Sequence, residues 1–174
     1  MSEQTQSGTP EARIVQFGPS RAIGLSCIGA APEDFSAVWG GEAGFVARRG
    51  EVTSPADAGF TVGICRCVPG LTDGRFEYIA ARPAAAGTPI PEGMIEATLA
   101  GGTYAVFPVA GLADRMRGWG AGQEWFAAHP EWTGYCNEQG CDCATHPGFE
   151  LYPPDFTPEK ELFIYVPIRP SGAR

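Results

Sequence analysis

The spacing of apolar and polar positions divides the chain into two similar runs of elements. Arg13–Ile28 is apolar enough for a strand, with a break expected at Gly18–Pro19. From about Glu33, after Pro32, the residues Phe35, Val38, Trp39 and Val46 recur on one face at helical spacing. Proline suits the first turn of such a helix, because the N–H it lacks would have no partner there. Phe60–Val68 and Phe76–Arg82 then read as a hairpin across a loop that contains the turn dipeptide Asp73–Gly74. In the second half, Met94–Pro108 reads as a long strand and Leu112–His129 as a helix. Phe149–Tyr152 and Leu162–Ile168 pair across the loop PPDFTPEKE. Ala84–Gly93, rich in Ala, Pro and Gly, connects the halves. Glycines inside both predicted helices (Gly40, Gly41, Gly44; Gly118, Gly120, Gly122) cost about 1 kcal/mol each relative to alanine. They signal close packing or a kink beside Trp39 and Trp119.

The two runs also match in letters. FEYIAARP (Phe76–Pro83) and FIYVPIRP (Phe163–Pro170) share Phe76/Phe163, Tyr78/Tyr165, Arg82/Arg169 and Pro83/Pro170. Upstream, WGGEAGFVARRGE from Trp39 matches WGAGQEWFAAHPE from Trp119 at Trp39/Trp119, Gly40/Gly120, Ala47/Ala127 and Glu51/Glu131. The matches occur in the same order in each half, so an internal repeat is expected, each copy reading strand, helix, strand, strand. Repeat one covers about 11–92 and repeat two about 93–170, behind a loose polar tail at 1–10.

Composition narrows the picture. A chain of 174 residues, 44% hydrophobic, holds one core. Its 24 glycines and 16 prolines are spread as punctuation, which predicts many short elements in an α+β fold with an antiparallel sheet. A formal charge of −8 lacks the concentrated positive face that nucleic acid requires, and mildly attracts a cationic ligand. No apolar run is long enough for a membrane span. The opening MSEQTQSGTP has no apolar core of a secretory signal, so the expected compartment is the cytoplasm. The six cysteines are therefore read as thiols or ligands before disulfides.

Cys136, Cys141, Cys143 and His146 are spaced C-x4-C-x-C-x2-H, four soft donors that could hold zinc. The spacing is not that of a ribbon or knuckle, and a reduced loop without metal is the expectation. Cys27, Cys65 and Cys67 read as packing thiols. No nucleophile elbow, H-E-x-x-H or P-loop is present, and neither His129 nor His146 has a nucleophile near it in sequence. No cofactor is expected.

Strand alternation suggests where the chemistry lies. Leu162, Ile164, Val166 and Ile168 form an aliphatic row suited to packing on helices, with Phe163, Tyr165 and Pro167 on the opposite face. Phe149 and Leu151 likewise oppose Glu150 and Tyr152. If the hairpin register joins like faces, Glu150, Tyr152 and Tyr165 share one surface. A carboxylate among rings suits an organic cation. Aligning GFTVGI with GFELYP places Thr61 opposite Glu150, so only one half carries the acid. The competing reading is a surface pair of Glu150 with Arg82 or Arg169, worth little. Trp39, Trp119, Trp125, Tyr104 and Phe107 serve either as core or as pocket lining, with Trp39 and Trp119 favoured for the pocket.

Together WFAAHPEW, GFELYPPDF, ELFIYVPIRP, FEYIAARP, IPEGM and GGTYAVFPVAG resemble the GyrI-like small-molecule-binding family, over about residues 11–170. That family also supplies the effector-binding half of some AraC-type and multidrug-responsive regulators. The resemblance implies two pseudo-symmetric βαββ units forming a curved antiparallel sheet with two long helices. It implies a cleft for aromatic, often cationic, compounds whose central acid maps onto Glu150. Glu150, Tyr165, Tyr78, Trp39, Trp119, Tyr152 and Phe107 are the candidate ligand-binding residues. Too few residues lie outside the domain for a helix-turn-helix, so any regulation is expected to act through another protein. Some members resembling this chain hydrolyse strained cyclopropane rings of DNA-alkylating natural products; there Glu150 would orient or deprotonate water. Another branch binds a protein partner such as a gyrase.

Overall fold

Arg13–Phe17 (β1) and Ser20–Gly29 (β2) are separate strands, divided at Gly18–Pro19 as the sequence predicts. This geometry comes from a computed structural model that describes residues 11–53, 59–71, 73–137 and 140–172; the tail expected at 1–10 lies outside them. Pro32–Trp39 (α1) starts where proline predicts. The carboxylate of Asp34 accepts the N–H groups of Ala30 and Ala31 and holds the entry to the helix. The expected long first helix does not form. Gly41 adopts φ +75°, which breaks it after Trp39, and only the short turn Phe45–Arg48 (α2) follows.

Thr61–Arg66 (β3) and Phe76–Pro83 (β4) form the predicted hairpin. The expected long strand Met94–Pro108 is instead two, Ile95–Leu99 (β5) and Gly102–Val109 (β6), which pair with different neighbours. Arg115–Ala128 (α3) is the second predicted helix. Its Gly118 sits so close to the sheet that an added Cβ would lie 3.0 Å from Ile164 Cγ1 and overlap Val109. The glycines therefore do different work in the two helices: a break in one, a close approach in the other. Trp132–Gly134 (β7), Cys136–Asn137 (β8) and Gly140–Cys141 (β9) are further strands, too short for apolar alternation to mark in the sequence. Gly148–Tyr152 (β10) and Leu162–Pro170 (β11) complete the sheet.

The strand order is β1-β6-β11-β10-β3-β4-β2-β5, antiparallel throughout, with β7 added to β11. Read outward from the β10–β3 seam, the halves mirror each other, and the leading strands exchange. β1 of the first half borders β6, and β5 borders β2. One face of the sheet buries Val62, Ile64, Ile79, Tyr104, Val106 and Phe149. The other packs under Phe35, Val38 and Phe45 of α1 and α2, and under Ala121 and Trp125 of α3. The fold is a curled antiparallel α+β sheet with, among the described residues, three α-helices, of which α3 alone is long. No described helix is long and apolar enough to cross a membrane.

Candidate functional site

Glu150 occupies the middle of β10, opposite Gly63 on β3 and Ile164 on β11. Alternation turns it, with Tyr152, toward the helices, and it is only 2% exposed. An isolated carboxylate at that depth would cost several kcal/mol. Here it is surrounded by donors. The hydroxyls of Tyr78 and Tyr152 both donate to Oε2, at 2.6 and 2.5 Å, and Trp119 Nε1 donates to Oε1 at 3.0 Å. Arg115 Nε lies 3.3 Å from Oε1, with its side chain 14% exposed. Trp39 Nε1 donates to the Tyr78 hydroxyl at 3.0 Å, so both tryptophans singled out by the repeat feed one network.

Each side chain arrives from a different element. Tyr78 comes from β4 and reaches Glu150 across β3, over Gly63, where any Cβ would overlap its hydroxyl. Arg115 and Trp119 stand one turn apart on α3 and so present the same face. Phe35 from α1 stacks on Tyr78 with centroids 4.7 Å apart, and Trp39 meets Tyr152 edge-on at 5.1 Å. These are the offset and edge geometries that rings prefer.

Two cavities open beside this network. One, of about 610 Å³, is lined by Glu150, Tyr78, Trp119, Phe76, Phe126 and Tyr135 among others. The second, of about 650 Å³, is lined by Trp39, Phe45, Tyr152 and Phe156. Phe35 and Arg115 line both. Each volume suits a ligand of drug size.

The electrostatics follow from burial around one negative charge. Burial, then the charge of Glu150, holds the Tyr78 and Tyr152 hydroxyls above the usual tyrosine range, so both stay neutral donors. The same two causes push the Cys65 thiol up. Burial is the largest single influence on Arg115 and works against its charge, but Glu150, Tyr152 and Tyr78 together outweigh it and keep the guanidinium protonated.

Several sequence expectations change. Tyr165 is opposite Phe149, not Glu150, in the β10–β11 register, and stacks on Phe149 at 4.6 Å on the far face of the sheet. The F-x-Y frame shared by the repeats is thus one residue out of phase: Tyr78 faces the helices and Tyr165 faces away. Phe107 is fully buried in the core, edge-on to Trp125 at 6.3 Å. The expected alternative partners of Glu150 are elsewhere. Arg82 Nη1 donates to the Arg49 carbonyl, and Arg169 lies over the Tyr135 ring. The counter-ion is instead Arg115, whose place four residues before Trp119 is the one sequence signal for it.

The cysteines also differ from expectation. Cys67, read as a packing thiol, forms a disulfide with Cys143, 76 residues on, with Cα atoms 5.3 Å apart. The pairing of β10 with β3, which sets Gly148 opposite Cys65, brings the two near each other. Cys27 and Cys65 are free. Of the zinc candidates, Cys136 and Cys143 gather with Cys67. His146 instead stacks on Tyr135 at 4.0 Å and faces Asp142. The side chain of Cys141 lies outside the described residues.

Comparison with known proteins agrees with this architecture. The transcriptional regulator BrlR of Pseudomonas aeruginosa is 29% identical over 162 residues, 90% of this chain; the chain spans 55% of that relative's length. Among solved structures, SAV2435 bound to tetraphenylphosphonium superposes with a TM-score of 0.63 at 18% identity, covering 91% of this chain and 94% of that one. The C-terminal domain of EcmrR does so at 0.63 and 9% identity, covering 92% and 98%. These structural likenesses carry the fold alone. The family model of the GyrI-like small molecule binding domain matches residues 10–169, nearly the whole chain, and the protein belongs to that family.

Proposed function

We propose that the protein binds an aromatic organic cation, with Glu150 as the anionic anchor and the rings of Tyr78, Tyr152, Trp39 and Trp119 around it. The observation that carries this reading is a single carboxylate, 2% exposed, in the wall of a ring-lined cavity of about 610 Å³. Its counter-ion Arg115 comes from a helix and borders both cavities. A flat or propeller-shaped cation can replace the guanidinium, taking over its charge while adding ring contacts worth about 0.5–2 kcal/mol each. Neutral aromatic compounds leave Arg115 in place and gain only the apolar part. That SAV2435, of the same fold, is bound to a tetraaryl cation supports this choice of ligand class.

Arg115 and three hydrogen-bond donors surround Glu150, which favours an anchoring role over activation of water. A thermal-shift series tests the reading. Aromatic cations are expected to raise the melting temperature more than neutral compounds of the same shape, because only a ligand of the folded state stabilises it. Equal shifts for both kinds would contradict it. Turnover of a cyclopropane-bearing alkylator, lost in Glu150→Gln, would replace binding by hydrolysis. Capture of a gyrase without any ligand response would point to a protein partner instead.

A further inference from the structure

Away from Glu150, the sulfur atoms of Cys67, Cys136 and Cys143 all lie within 4.8 Å of one another, and the three residues line the same 610 Å³ cavity. Tetrahedral zinc with Zn–S bonds of about 2.3 Å sets its sulfurs about 3.8 Å apart, so the cluster is already near the size of a metal site. The backbone holds each donor in place. Cys136 is paired in the β8–β9 ribbon. Cys143 stands in a tight turn closed by the His146 N–H on the Asp142 carbonyl. Cys67 directly follows β3, and its own N–H donates to Cys143 Sγ at 3.0 Å, the kind of contact that orients and stabilises a thiolate ligand. Cys67 and Cys143 are joined as a disulfide here, which is the oxidised form of the same pair.

We propose that, in the reduced chain, Cys67, Cys136 and Cys143 bind a soft divalent cation of the zinc class and so tie the segment between α3 and β10 to the sheet at the cavity wall. The site differs from the sequence expectation because it draws Cys67 from the other half of the chain and leaves out His146. It does not depend on what the cavity binds. A phosphine reductant breaks the sulfur–sulfur bonds in which Cys67, Cys136 and Cys143 are held, each bond giving two thiols and, with the oxygen of one water, a phosphine oxide. Binding of a divalent ion by three thiols then releases three protons and leaves a fourth position for water or another donor.

The test is an anaerobic titration of the whole, phosphine-reduced chain with Co²⁺, followed by Zn²⁺. One equivalent is expected to saturate a sulfur-to-cobalt charge-transfer band in the near ultraviolet, and zinc to remove it. Cys67→Ser is expected to weaken binding on the order of 100-fold, since even loss of an outer partner commonly costs ten- to hundredfold. Absence of a saturable band, or full affinity in Cys67→Ser, overturns the proposal; the latter result would place the metal in the 136–146 loop alone. Alkylation mapping of the unmutated chain keeps the test independent of that variant's folding. Zinc is expected to protect Cys67 together with Cys136 and Cys143, and an unchanged rate at Cys67 overturns the site.

Discussion

Gly63 stands directly across the β3–β10 pair from Glu150, and the hydrogen of this glycine is what lets the carboxylate meet Tyr78 over an intervening strand. A Cβ there would come 2.7 Å from Glu150 Oε2 and overlap the Tyr78 hydroxyl. The site is thus built on the absence of a side chain. Gly63→Ala is expected to destabilise the fold by about 1–3 kcal/mol, as overpacking does, and to abolish cation binding. Urea unfolding together with ligand titration checks both; a fully stable, fully binding variant would show that Tyr78 and Glu150 need not touch.

Arg115 is the counter-ion that a ligand must replace. Arg115→Met leaves a buried carboxylate without its cation, and the fold is expected to lose about 3 kcal/mol, the lower end for a broken buried pair because three neutral donors remain. An aromatic cation then restores the missing charge. Its stabilising shift in Arg115→Met is expected to exceed that in the unmutated chain. Calorimetric melting with and without tetraphenylphosphonium reads this, and a smaller shift in the variant would count against displacement.

Trp119 serves as both a ring and a donor. Trp119→Phe keeps most of the aromatic surface but removes the 3.0 Å bond to Glu150 Oε1. The expected cost is about 1–2 kcal/mol in stability, for a hydrogen bond to a charged group. Chemical denaturation measures it, and a change near zero would mean that the bond adds nothing.

Tyr78 and Tyr152 set the alkaline limit. Burial and Glu150 raise both above the ordinary tyrosine value of about 10, so the folded chain keeps protons that the unfolded chain releases. Their contribution is complete below about pH 10 and falls as pH rises further, by about 1.4 kcal/mol per pH unit for each group. Tyr104, pushed up to about 12 by burial, adds to the same loss. Tyr152→Phe is expected to flatten the fall in stability above pH 10, measured by denaturant midpoints across pH; an unchanged slope would contradict the raised value.

Much of this architecture was legible because strand alternation and the repeat are local signals. The break at Gly18–Pro19, the two hairpins and the pairing of Trp39 with Trp119 as inward-facing residues all follow from them. Register is not local. Whether Phe149 or Glu150 stands opposite Tyr165 depends on where two strands meet across a nine-residue loop, and a slip of one residue moves Tyr165 to the far face. The Cys67–Cys143 contact was hidden for the same reason, since it joins positions 76 apart. The first helix was overextended because apolar spacing at Val46 outweighed the glycines that break it. Arg115 was missed because an arginine in a helix ordinarily reads as solvated surface.

Isothermal titration of tetraphenylphosphonium into the unmutated chain and into Glu150→Gln tests the central claim most directly. One saturable site per chain is expected, weakened about 10- to 100-fold in the variant, as befits loss of a charged partner. Equal affinity in both proteins, or no saturable binding to the unmutated chain, would contradict the role given to Glu150.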